Sequence, residues 1–310
     1  MKKNIPEENK IIRQTQSGRR ILLRVAYDGT NYHGWQLQPN ACTIEGELNK
    51  ALTALTGEKI QVVGASRTDA GVHALGNVAV FDTASRIPAE KFSYALNQRL
   101  PENIVIQESV QVAGDFHPRH CACRKTYEYD ILNRTFPLPA YRNTAYFLYG
   151  NLDVDAMREA CRAFLGEHDF ASFCAAGAQV QTTVRTIYSL EVLERPLTAV
   201  AASAGQTADR IEDQEEKQQE KAAGDDRKQV NTGNVRGSGH FPERLLTIRI
   251  RGNGFLYNMV RIIAGTLVEV GRGHIKPEEV GGIIAACDRA KAGPTAPARG
   301  LRLVEIEYLQ

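Results

Sequence analysis

The apolar residues of this chain recur twice in the same order, and that repeat limits the folds open to it. Ile21–Tyr27 is a β-rich run. Ile44, Leu48, Ala51, Leu52 and Leu55 then mark one face of a helix that Gly57 closes. Strand patterns follow at Lys59–Ser66 and Asn77–Phe81, a helix pattern runs from Pro88 to Arg99, and Ile104–Ser109 reads as strand. The second half repeats the series. Lys125–Leu132 and Thr186–Leu193 read as strands around a helix from Asp153 to Leu165. Strand Leu245–Arg251, helix Phe255–Val270, a short helix from Pro277 and strand Arg302–Leu309 complete it. Each half approximates β-α-β-β-α-β, the split ferredoxin-like motif. The expected architecture is α+β: two ferredoxin-like halves, 20–115 and 116–310, with adjoining antiparallel sheets and a central cleft between them.

Two segments fall outside the repeat. Residues 1–19 carry basic residues with no apolar core after them, so they read as a mobile tail and not as a secretory signal. Residues 203–240 hold eight acids and six bases with almost no large apolar side chain. Such a stretch cannot bury enough surface to offset its ordering entropy, and it reads as a disordered insertion in a hairpin. Without it the remaining body is modestly basic, with 32 Lys and Arg against 28 Asp and Glu, which is compatible with a nucleic-acid partner. No stretch approaches the roughly 18 uncharged apolar residues of a membrane span. The six cysteines show no paired metal-ligand spacing, and reduced thiols in a cytoplasmic enzyme fit them.

The densest group of reactive residue types is Gly64-Ala-Ser-Arg67-Thr-Asp69-Ala-Gly71-Val-His73-Ala, a loop between two strand patterns. If Arg67 to Asp69 is extended, their side chains share a face, and the guanidinium lowers the carboxyl pKa by charge pairing. An ionised, fixed aspartate is what covalent carboxylate catalysis requires. A purely structural Arg–Asp pair bracing a turn fits the same string. Gly71 permits the sharp turn that follows.

This loop resembles the signature of the TruA family of tRNA pseudouridine synthases, and other pieces resemble that family in order. They are Tyr27-Asp-Gly-Thr-Asn-Tyr-His-Gly-Trp35-Gln, Phe116-His-Pro-Arg119, Arg124-Lys-Thr-Tyr127-Glu-Tyr129, Phe164-Leu-Gly-Glu-His-Asp-Phe170, Phe255-Leu-Tyr-Asn-Met-Val-Arg261, Gly265 and Gly300-Leu301. The resemblance implies isomerisation of uridine to pseudouridine in the anticodon stem-loop of tRNA, at tRNA positions 38, 39 and 40, by a cytoplasmic homodimer. It implies that Asp69 is the catalytic carboxylate, Arg67 its paired arginine and Tyr127 the aromatic that packs on the target base. The reaction moves the glycosidic bond from N1 to C5 with no redox change, so it calls for no nucleotide cofactor and no metal. Asp69 attacks C1′ or assists a glycal route by accepting a proton; both remain open. The target base must leave its stack to be reached.

Competing readings attend each residue. Tyr127 and Tyr129 share one face of an alternating strand, where tyrosines usually pack, and Tyr129 is read as packing. Arg119, Arg124, Lys125 and Arg261 are candidate phosphate contacts, although surface cations usually face solvent. Arg261 is singled out for binding substrate because it follows an apolar helix start. His73, His117 and His168 are scattered and read as capping or packing groups. Ser66 stands where the family usually has glycine; were φ positive there, serine would be strained. The rival functions are a non-catalytic RNA-binding chaperone on the same scaffold and a metal-dependent hydrolase built on Asp69 and His73.

Overall fold

A computed structural model describes residues 18–177, 180–197 and 243–309. The 203–240 insertion and most of the N-terminal tail lie outside the described residues. Arg19, expected to close the tail, instead opens the first strand.

The first run consists of β1 (Arg19–Tyr27), α1 (Ile44–Thr56), β2 (Val63–Gly64), β3 (His73–Thr83), α2 (Lys91–Asn97) and β4 (Ile104–Val112). Local signals set its helix boundaries. Thr43 caps α1 by accepting the Gly46 N–H through its hydroxyl, and Gly57 ends the helix at φ 72°. The expected strand at Lys59–Ser66 shrinks to β2, because Lys59–Val62 runs along α1, where Asn49 Oδ1 accepts the Val62 N–H at 2.8 Å. The second run consists of β5 (Cys123–Asn133), β6 (Tyr146–Leu148), α3 (Val154–Cys161), β7 (Gly166–Asp169), β8 (Val184–Pro196), β9 (Arg244–Gly252), α4 (Met259–Gly271), α5 (Val280–Ala285) and β10 (Leu301–Tyr308). The short strands β6 and β7 are too brief to leave a periodic signal. Pro196 pairs with Arg244, so the polar segment leaves and re-enters at one end of the β8–β9 hairpin.

The strands form one sheet, not two adjoining antiparallel ones. Its order is β4-β1-β3-β10-β5-β9-β8-β7, with β2 on β3 and β6 on β5. The last strand lies in the middle. β10 runs antiparallel to β5 and parallel to β3, through Arg302↔His73 and Leu303↔Ala74, which makes the sheet mixed. Alternation explains its place: Leu301, Leu303 and Ile306 are buried, so a strand with a full apolar face fits at the centre. One core cluster runs through both halves, from Ile21, Leu23 and Phe92 to Ile250, Ile263 and Leu267.

Helix α4 is buried on nearly every side, with only Arg261 and Glu269 partly exposed. It therefore needs close approaches. At Gly265 a Cβ would lie 1.8 Å from the Pro294 carbonyl oxygen. Gly265→Ala must push α4 away from the 294–296 segment that also contacts Arg261. We expect it to lower unfolding stability by about 1–3 kcal/mol in denaturant titration, the usual cost of overpacking a core.

Candidate active site

The loop 65–72 joins β2 to β3, and the first sequence motif holds it from beneath. Tyr27 OH shares a 2.7 Å hydrogen bond with Thr68 Oγ1, and Asn77 Nδ2 donates to Tyr27 OH and to the Ser66 carbonyl. Trp35 N–H donates to the Thr68 carbonyl at 3.0 Å, and Gly71 N–H to the Tyr32 carbonyl. Gly34 (φ 87°) lies so close that a Cβ would sit 2.7 Å from the Thr68 oxygen, and one on Gly64 would enter the Trp35 ring. Trp35 is thus a core anchor, tilted against Tyr27. Asp28 opens a turn, its carboxylate accepting the Thr30 N–H.

This bracing decides which side chains face where. Thr68 is pinned inward and Arg67 is exposed. Among the described residues, no hydrogen bond or ion pair joins Arg67 to Asp69, which corrects the expected pairing. The cation beside Asp69 comes instead from α4: Arg261 Nη1 lies 3.8 Å from Asp69 Oδ2. The electrostatic expectation reverses as well. Burial pushes the Asp69 carboxyl above the ordinary carboxylate range, and the Arg261 charge opposes but does not cancel that rise.

Arg261 is committed on its other side. Its Nε–H donates to the Ala296 carbonyl at 2.8 Å and its Nη1 to Asn258 Oδ1 at 2.7 Å. A sequence signal for this position did exist: the one cation of a largely apolar helix. Tyr127, on β5, packs edge-on against Phe255 at 5.2 Å between centroids. Its phenol is pushed up to about 12, chiefly by burial, with the Asp69 charge adding to the rise. Tyr129 is fully buried, and its hydroxyl donates to the Pro297 carbonyl. Lys125 shares the face of Tyr127 and is not a solvated surface cation. Its Nζ donates to Ser66 Oγ at 2.9 Å and to the Ala65 carbonyl at 3.0 Å. Strand alternation, i to i+2, could have found that placement. Ser66 does not have positive φ, and the serine is used for its hydroxyl.

Around the mouth, Arg119 is held below its usual range by burial and by the neighbouring Arg67 charge. Burial is also the main cause that lowers Lys125, with Arg119 adding to it. Arg124 instead stacks over the Tyr188 ring, 5.4 Å from its centroid. The histidines are occupied locally: His73 between Gly29 N–H and the Asn143 carbonyl, His168 on the Leu165 carbonyl, His117 stacked on His120. Among the described residues, no three His, Cys, Asp or Glu side chains gather as metal ligands would. A separate cavity of about 680 Å³, lined by Leu75, Val105, Glu128, Arg249 and Arg302, does not include Asp69. Glu128 alternates with Tyr127 and Tyr129 along β5, so this cavity opens on the other face of the sheet.

The arrangement is a half-buried carboxyl beside an aromatic ring, with one guanidinium 3.8 Å away whose charge favours the ionised form. Residues 24–120 and 160–309 match the family model described as tRNA pseudouridine synthase. The chain is 44% identical over 290 residues to tRNA pseudouridine synthase A of Ruminiclostridium cellulolyticum, covering 94% of this chain and all of that one. It is 43% identical to the Acetivibrio thermocellus protein of that name and 42% to that of Brevibacillus brevis, with the same coverage.

The raised carboxyl pKa carries a stability consequence. A carboxyl whose pKa is higher folded than unfolded binds its proton more tightly in the native state, so its ionisation opposes folding above the unfolded pKa. Asp69→Asn removes that penalty. At pH 7 the variant should unfold at a higher temperature than the parent, and the gap should close as pH falls through the ordinary carboxylate range. Calorimetry at several pH values checks both parts.

Proposed function

The chain belongs to the tRNA pseudouridine synthase family, and from that premise we propose that it isomerises uridine to pseudouridine in the anticodon stem-loop of tRNA, at positions 38, 39 and 40, with Asp69 as the reacting carboxylate. The observation that carries this reading is the Asp69 site itself, where a half-buried carboxyl faces Arg261 at 3.8 Å beside the Tyr127 ring.

The reaction breaks the N1–C1′ bond, turns the uracil and joins C5 to C1′; N1 gains a proton and the C5 proton goes to solvent. Each residue has a part in it. Asp69, short of hydration, meets the electron deficiency that develops at C1′, either by attack or by accepting a proton. Arg261 keeps it ionised. Tyr127 offers a face to the detached uracil, a contact worth about 1–3 kcal/mol in single-strand binding. Arg67 turns outward from the loop, where it meets the flipped nucleotide and its neighbours instead of bracing Asp69. Arg119 stands beside Arg67, and an RNA phosphate would relieve their mutual repulsion. No nucleotide cofactor enters these steps.

The same reading treats each run as a split β-α-β-β-α-β unit. The orders β4-β1-β3 with β2 beside β3, and β10-β5-β9-β8, support it, since in both the last strand lies outside the first. It also takes the protein as a cytoplasmic homodimer, with the 20–115 and 116–310 regions meeting at the site. Among the described residues, no helix is long and apolar enough to cross a membrane.

Purified protein given tRNA labelled with tritium at uridine C5 should release tritium in EDTA, and Asp69→Asn should abolish release while keeping tRNA binding. Binding by the parent protein without release would mean a chaperone; loss of release in EDTA would mean metal-dependent chemistry. Light scattering should give twice the 34.2 kDa chain mass; a monomer mass would remove the dimer from the proposal.

A further inference from the structure

The turn 116–121 leads into β5 and is fixed from beneath. Arg20 of β1 donates through Nη1 to the Phe116 carbonyl at 2.8 Å, and the Tyr308 hydroxyl of β10 donates to the Pro118 carbonyl at 3.0 Å. Phe116 also packs edge-on against the Tyr308 ring. The outer side of the turn presents Arg119 and His120 to solvent.

There the rings of His117 and His120 lie face to face, with 3.9 Å between centroids and 19° between planes. The Arg119 N–H donates to His117 Nδ1 at 3.2 Å, so that ring is neutral and carries its hydrogen on Nε2. Partial burial holds the His117 imidazole below its ordinary range. The charges that bear on it push the same way: His120 and Arg119 from its own turn and Arg20 from β1. Arg20 is itself closed on Asp82 of β3 and feels Asp115. His117 is thus kept as a neutral face. One imidazolium can stack on such a face, whereas two at that spacing would repel. The stack therefore has room for one proton. His120 is the ring free to take it, since among the described residues its side chain has no hydrogen-bond partner.

The surroundings call for an anion. Arg119 bears on Arg67 of the 65–72 loop and on Lys125 of β5. Among the described residues none of these three cations is in an ion pair, and Glu45 answers Arg119 only from beyond ion-pair distance. A row of cations without carboxylates suits phosphate oxygens.

We propose that His120, stacked on His117, is a proton-linked phosphate contact, which takes up one proton from solvent as an RNA phosphodiester docks beside Arg119. This rests on the reading of the chain as an enzyme that acts on tRNA. The sign follows from linkage. A ligand that favours the protonated ring binds more tightly as pH falls, by at most about tenfold per pH unit for one proton.

With bulk tRNA at fixed ionic strength, the parent protein should bind about tenfold more tightly at pH 6 than at pH 8. Calorimetry at pH 7 in buffers of different ionisation enthalpy should show proton uptake on binding. His120→Phe keeps a ring to stack on His117 and cannot take the proton, so at both pH values it should bind as the parent does at pH 8. His120→Lys carries its charge throughout this range and should bind at pH 8 nearly as the parent does at pH 6. A parent affinity that is the same at pH 6 and pH 8 overturns the proposal, as does a full pH gain in His120→Phe or an absence of tRNA binding. Tritium release separates the two readings. Release with pH-independent binding removes the proton-linked contact alone, while proton-linked binding without release removes the isomerase reading and leaves the contact standing.

Discussion

The site depends on one electrostatic compromise. A carboxylate taken out of water tends to hold its proton, and a cation held close by opposes that tendency. In this protein the opposing cation stops at 3.8 Å. At that distance it still acts strongly through a poorly solvated medium, because little water screens the pair. It leaves the carboxyl pKa above its ordinary value, so the native state bears a penalty at neutral pH that sequence features elsewhere must offset. The large common core, continuous through both halves, is able to offset it.

Holding two charges at a fixed distance demands rigidity from both sides. Asp69 sits on a loop that has no regular structure of its own, and the first motif supplies what it lacks. Backbone donors from Trp35 and Gly71, the Tyr27–Thr68–Asn77 hydroxyl and amide contacts, and glycines that allow backbone to lie against backbone fix it in one conformation. Lys125 adds a bond from β5 through Ser66. Arg261 has the opposite problem, a long side chain with many rotamers, and its two acceptors remove that freedom.

The two charges come from residues 192 positions apart, and the central position of β10 is what brings them together. This strand pairs with β3 just where the loop ends, at His73 and Ala74, and with β5 at the level of Tyr127 and Tyr129. The segment leading into β10, with Ala296 and Pro297, touches Arg261 and Tyr129 on the way. The seam between the runs is therefore also the wall of the site.

Much of this was legible in the residues. Period-two and period-3.6 apolar patterns located the long strands and helices, since burial of one face is a local property. The family resemblance singled out Asp69, Arg67 and Tyr127 because their motifs are contiguous, and the apolar run before Arg261 singled out that cation. What the sequence could not settle was partnership. Arg67 and Asp69 are two residues apart and invite pairing, yet Thr68 is drawn inward by Tyr27 and Trp35, and that contact crosses from another strand and turns Arg67 out. Likewise the joining of two sheets into one, and the choice of Arg261 as the neighbour of Asp69, follow from which strand lies beside which. The chain's own order determined the elements and the reactive residue types. Only packing across long sequence separations decided which charge faces which, because electrostatic pairing depends on distance in space and on the water excluded there.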